Sequence, residues 1–144
     1  MSRLWLSIVL AGLISACAQV APPPPGPQAT LPEAAPGRAV IYIVRSHQDL
    51  GDVPATLWLD DRIMGATFMG THFRWEVAPG RHQIAGFGPD NGTITLDVQP
   101  DRTYYVQQVV RGGPRANSPY STFIILNEGQ GRAFVSTTAP LGQL

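Results

Sequence analysis

Lysine is absent from this chain, cysteine occurs once, and charged residues make up only 14% of its 144 positions. Ten arginines balance ten carboxylates, so the formal net charge is zero. That balance supplies neither the clustered basic footprint that nucleic acid requires nor a polybasic patch for anionic lipid. A single thiol excludes an intramolecular disulfide and any zinc site built from paired cysteines. The fold must therefore be held by its core alone. The length allows one ordinary domain with appendages.

The one cysteine, Cys17, closes the string MSRLWLSIVLAGLISAC. Arg3 supplies a positive start, residues 4–14 are apolar except for Ser7 and Gly12, and Ser15 and Ala16 are small. The apolar run fits the ~7–15 residues of a signal-peptide core and is well short of the ~20 that span a bilayer. Leu13-Ile14-Ser15-Ala16-Cys17 resembles a bacterial lipobox, in which the thiol is acylated and cleavage leaves the cysteine first. A diacylglyceryl group suffices for stable attachment, because each buried methylene contributes ~0.8 kcal/mol and a single chain binds only reversibly. Ala18 follows the cysteine; by resemblance to the sorting rule of enteric bacteria, a residue other than Asp there implies the outer membrane. The alternatives are an ordinary secretory peptide with an incidental cysteine, or a core thiol. Residues 1–16 are thus expected to be a lipoprotein signal peptide and Cys17 the lipid attachment point.

Proline is concentrated where a core cannot form. Seven of the 14 prolines fall between Pro22 and Pro36. Residues 18–37, AQVAPPPPGPQATLPEAAPG, carry no hydrophobic period and favour extended polyproline II. Residues 17–37 are expected to form a spacer without contacts to the domain that follows. A Pro-rich recognition ligand is the sharper but less favoured reading.

From residue 38 to 144 short apolar segments alternate with turn residues, the pattern of an all-β fold. RAVIYIVR (38–45) is continuously apolar between its arginines and fits a strand covered on both faces. ATLWLD (55–60) sets Leu57 and Leu59 against Trp58, and IMGATF (63–68) follows a tight turn. HFRWEV (72–77) sets Phe73, Trp75 and Val77 against His72, Arg74 and Glu76. HQIAGF (82–87) and TITLDV (93–98) flank PDNG, a hairpin signal because Asn91-Gly92 suits a type I′ turn. TYYVQQVV (103–110) and TFIILN (122–127) complete the clear strands, while 128–138 reads equally as a short helix or an edge strand. No window carries a 3.6-residue apolar stripe long enough for a long helix. The scale is that of one antiparallel β-sandwich of seven or eight short strands.

ATLWLDDRIMG, WEVAPGRHQI and LDVQPDRTYYVQQV, in this order and spacing, resemble a family of small bacterial lipoproteins of unknown function. That family is similar to PEGA and carboxypeptidase-regulatory-like modules, which implies a prealbumin-like β-sandwich over most of residues 38–127 and brings no established activity. The chain departs from the pattern at Asp61, where the family's turn carries Gly, and in the Gly-rich EGQGR at 128–132.

Residue sets able to carry chemistry are few. His47, His72 and His82 lack the i, i+2 or i, i+4 spacing that presents two imidazoles to one metal. His82 is expected to hydrogen-bond around the Pro79-Gly80 turn. Asp60 and Asp61 would point to opposite faces of a strand, so they read as turn residues tolerating left-handed backbone rather than a paired acid and base. Asp61 in particular is expected at positive φ. No nucleophile elbow, phosphate loop or H-E-x-x-H helix is present. The aromatics Trp58, Tyr104 and Tyr105 remain, either filling the sandwich or offering a surface for a glycan or partner.

The expectation is a non-catalytic domain without catalytic, cofactor or metal residues, anchored in the cell envelope with its domain in the periplasm. It would bind another envelope component, with an envelope glycan or small molecule on exposed aromatics as the alternative and a hydrolase a distant third. A flat apolar edge would favour the first reading, and exposed Trp or Tyr lining a concave pocket the second. Cys17→Ala is expected to abolish acylation and release the protein from membranes. Metabolic labelling with a fatty-acid probe checks this, and equal labelling of both proteins would refute the anchor.

Overall fold

The computed structural model describes residues 31–46, 53–86, 92–112 and 119–143. Cys17, the leader, most of the proline run, His47 and the Asn91 turn position lie outside the described residues. The continuously apolar segment forms β1 (Ala39–Arg45), in which every residue is buried. Pleating sends Ala39, Ile41 and Ile43 into one core and Val40, Tyr42 and Val44 into another. A strand with two apolar faces has to be covered twice.

The inner cover is a second sheet. After β1 come β2 (Ala55–Leu59), β3 (Arg62–Thr67), β4 (Thr71–Val77), β5 (Gly80–Gly86), β6 (Thr93–Val98), β7 (Thr103–Gly112) and β8 (Pro119–Leu126). A helix, α1 (Glu128–Ser136), and a last strand, β9 (Ala139–Gln143), complete the order. Five strands in the order β8-β7-β1-β4-β9 face four in the order β3-β2-β5-β6, an all-β sandwich. The alternating faces meet between the sheets: Leu57 and Leu59, Phe73, Trp75 and Val77, and Leu96 and Val98 all join the inner core. Full burial of each such side chain is worth roughly 1.5–3 kcal/mol. One polar chain crosses this core, with Thr67 Oγ1 donating to Gln108 Oε1 (2.5 Å) and Gln108 Nε2 to Ser121 Oγ (2.8 Å). It ties β3 of one sheet to β7 and β8 of the other.

Among the described residues the strands number nine rather than seven or eight, and they are not all antiparallel. β1 pairs parallel with β7, and β4 parallel with β9. Parallel neighbours require a long crossover and carry no local turn signal, so a reading built on successive hairpins misses them. Parallel pairs are also found where both sheet faces are covered, which is the situation of β1.

The outer cover is α1 together with residues 31–37. Asn127 caps the helix by accepting from the Gln130 backbone N–H (2.9 Å), while Gln130 Oε1 accepts from the Asn127 N–H (3.3 Å). The ambiguous segment is therefore helical. Residues 31–37 correct the expectation of a contact-free spacer running to position 37. Leu31 and Ala34 pack on the outer core, Arg74 Nη2 donates to the Glu33 carbonyl (2.9 Å), and the Gly37 N–H donates to Asp101 Oδ1 (2.8 Å). Proline-rich chain has no period of its own but can still lie across an apolar face that needs covering.

Gly131 sets the distance between helix and sheet: a Cβ there would come within 2.0 Å of the Tyr105 ring, whereas one on Gly129 would meet only Asn127 Oδ1 at 3.5 Å. Both glycines weaken the helix relative to alanine by up to about 1 kcal/mol. Gly129→Ala is expected to stabilise the protein by up to that amount, and Gly131→Ala to destabilise it by about 1–3 kcal/mol through overpacking. Urea melts of the two variants against wild type check the opposite signs.

Candidate functional site

Where the outer cover meets the sheet it leaves a cavity of about 330 Å³. Leu31 and Pro32 form one wall, Val135 and Ser136 at the end of α1 another, and Pro140 and Gly142 of β9 a third. Tyr42, His72 and Arg74 come up from the outer face of β1 and β4. Tyr42 and Arg74 are register partners across the β1–β4 ladder, so their side chains stand beside each other. Sequence alternation placed His72 and Arg74 on the face opposite Phe73 and Trp75, and they are there. The face is nevertheless buried, with His72 7% and Arg74 8% exposed.

The polar atoms of this face are incompletely matched. Tyr42 Oη and Arg74 Nε are buried and have no hydrogen-bond partner among the described residues. Each such group costs about 1–3 kcal/mol relative to a satisfied one. The Arg74 guanidinium reaches Glu76 Oε2 only at 3.4 Å, and its shorter bond goes to the neutral Glu33 carbonyl at 2.9 Å. Tyr42 itself is clamped, stacked on Tyr105 at 5.5 Å between ring centroids and edge-on to His72 at 5.9 Å. Burial pushes the His72 imidazole below its ordinary pKa, against the opposing pull of the Thr138 backbone. Thr138 Oγ1 lies 2.8 Å from His72 Nδ1 and donates to the Phe134 carbonyl (2.9 Å).

The other histidine–carboxylate arrangement lies on the second sheet. Asp60 and Asp61 both have positive φ, 48° and 64°, the left-handed pair of a tight turn joining β2 and β3, as expected for Asp61. Asp60 does more than turn the chain. Its Oδ1 accepts from the Gln83 N–H (2.9 Å) and its Oδ2 contacts His82 Nδ1 (2.7 Å). His82 Nε2 lies 2.8 Å from the Ala78 carbonyl, across the Pro79-Gly80 corner. A carboxylate and a carbonyl are both acceptors, so both ring nitrogens donate and the imidazolium is the form that fits. Burial lowers the His82 pKa, but the bonds to Asp60 and Ala78 outweigh it and the net shift is upward. For Asp60 burial raises the pKa, and the Gln83 N–H and His82 outweigh it to give a net lowering. This is a latch on the hairpins. His72 and His82 belong to different sheets, and among the described residues no group of three or more His, Cys, Asp or Glu could hold a metal ion.

The aromatics divide as their strand positions require. Tyr105 is buried in the outer core, Tyr104 packs half-buried against the inner one with its hydroxyl accepting from the Gln99 N–H (2.9 Å), and Trp58 is half-buried. Among the described residues, no exposed Trp or Tyr lines the cavity. The large side chains left in solvent include two neighbours on β8, Ile124 at 47% and Ile125 at 58% exposure. β8 is an edge strand, PYSTFIIL, without a charge. The Ser121 carbonyl accepts from the Gly92 N–H (3.0 Å) and so points away from β7. By alternation Phe123 and Ile125 also turn their N–H and C=O outward, towards the open side of the sheet.

The Asp60–His82 latch gives stability a defined pH dependence. The raised His82 contributes fully below its ordinary ~6.5 and loses its contribution as pH rises through the folded value. The lowered Asp60 contributes above its ordinary ~4 and loses it as pH falls through the folded value. The stability gap between wild type and His82→Gln is therefore expected to be widest between pH ~4 and ~6.5 and to narrow above it. Urea midpoints of both proteins across this range check it; a gap that grows towards alkaline pH would contradict the imidazolium.

No family model matches the chain, and no curated protein matches it either.

Proposed function

We propose that the chain is a non-catalytic, lipid-anchored protein of the bacterial cell envelope that uses its β-sandwich to bind an extended segment of another envelope protein. The anchor rests on the Leu13–Cys17 string and places the domain on the periplasmic side, in the outer membrane by the residue after the cysteine. The likeness to small PEGA-like lipoproteins agrees with this reading and adds no activity to it.

The single observation that carries the partner is β8. An uncharged edge with outward-facing backbone at Phe123 and Ile125 and two exposed isoleucines is a template for a further strand. Soluble folds blunt such edges with lysine, proline or a bulge, and residues 120–126 contain none of the charged or proline devices. Backbone hydrogen bonds would supply affinity and the isoleucines would select apolar, β-branched side chains.

A photo-crosslinking residue in place of Ile125, in intact cells, is expected to give one discrete protein adduct. The same residue at Ile63, which is 69% exposed on β3, is expected to give none. Ile125→Pro removes an outward N–H at an edge position where proline is tolerated, so it should abolish the adduct formed from position 124 while leaving the urea midpoint near wild type. Adducts of equal yield from positions 63 and 125, or an adduct indifferent to the proline, would refute edge pairing.

A further inference from the structure

The cavity beneath residues 31–32 lies on the β4–β9 side of its sheet, away from the β8 edge, and has chemistry of its own. We propose that it is a binding site for a small organic anion, an apolar body carrying one carboxylate. Leu31, Pro32, Val135 and Pro140 give it apolar walls, and its volume of about 330 Å³ sits at the lower end of the ~300–1,000 Å³ typical of small-molecule sites.

The polar side chains select the charge. Arg74 is a permanent cation that is 8% exposed, with Nε lacking a partner and its nearest carboxylate contact at 3.4 Å. Tyr42 Oη, on the register partner of Arg74, also lacks one. A guanidinium N–H beside a phenol O–H is a pair of donors suited to the two oxygens of a carboxylate. A phosphate, with more charge and stronger hydration, would face one arginine and walls that are otherwise apolar. A cation would meet Arg74 directly. Glu76 is not among the residues lining the cavity and His72 presents a neutral ring, so the one carboxylate near the ligand's head is that of Glu76, 3.4 Å from the Arg74 Nη atoms and off the cavity wall.

Benzoate tests this, with benzamide as its neutral isostere and benzylammonium as the opposite charge, titrated into the full chain held in lipid nanodiscs. Backbone amide shifts of His72, Arg74, Val135 and Ser136 are expected to move saturably with benzoate. Benzamide should bind at least about tenfold more weakly, and benzylammonium not at all. Tyr42→Phe should weaken benzoate roughly two- to tenfold, the range one hydrogen bond supplies. Arg74→Met should erase the preference for benzoate over benzamide. Because removing a buried arginine can unfold the chain, Ser136→Trp serves as a second variant that closes the cavity from an exposed helix position and should abolish the shifts. Equal binding of benzoate and benzamide would overturn the anion assignment. Shifts centred elsewhere, shifts that survive Ser136→Trp, or none at saturating benzoate would overturn the site.

Discussion

The structure depends on the requirement that β1 be buried on both faces. Ala39, Ile41 and Ile43 demand one apolar cover and Val40, Tyr42 and Val44 another. A single sandwich partner satisfies the first demand only. The second is met by elements remote in sequence, α1 at one end of the domain and residues 31–37 at the other. That is why β1 runs parallel to β7, whose following strand leads directly into the helix. It is also why Gly131 carries no side chain, since the helix must approach the Tyr105 ring closely to seal the face.

The cover is short on one side, and the shortfall has chemical content. A nine-residue helix and seven residues of strap do not reach over all of β1, β4 and β9, and the cavity opens where their ends meet. Polar side chains on that face are caught between two environments. Arg74 is too buried to be hydrated and too far from Glu76 for a tight ion pair, yet it anchors the strap through the Glu33 carbonyl. The guanidinium is held mainly by that neutral carbonyl. The same residue thus secures the cover and leaves a positive donor beneath it.

Much of the inner core was legible in the sequence because its pattern is local. Leu57 and Leu59, Phe73 and Trp75, and Leu96 and Val98 alternate within single strands, and the run around Ile41 and Ile43 signals a doubly covered strand directly. The Asp60-Asp61 turn could be read for the same reason, since its backbone is set by neighbouring residues. The outer face was not legible. His72 and Arg74 are polar and alternate with core residues, which reads as a solvent face until the helix and residues 31–37 are seen lying over it. Asp60 was read only as a turn residue, since its bond to His82 spans 22 positions and no spacing rule connects them. The cavity draws Pro140 and Gly142 from β9, which its parallel pairing with β4 brings there, and that pairing leaves no mark in any short window.

β1 and β8 are the two limits of one arrangement. Both are apolar strands of the same sheet, but β1 occupies its centre and β8 its rim, so the covers that close over β1 leave Ile124 and Ile125 in solvent. The N-terminal half of β8 is tied down: Ser121 is joined to Gln108 through its hydroxyl and to Gly92 through its carbonyl. A Cβ on Gly86 would come within 2.2 Å of Ser121, so the opposing hairpin presses against this part of the strand. The C-terminal half lacks such a clamp among the described residues, and there the outward backbone of Phe123 and Ile125 begins. A strand held rigid at one end and open along the other can accept an added strand without reorganising. In the strand addition proposed above, little ordering entropy would then remain to be lost on the β8 side, and the main cost of association would fall on the incoming segment.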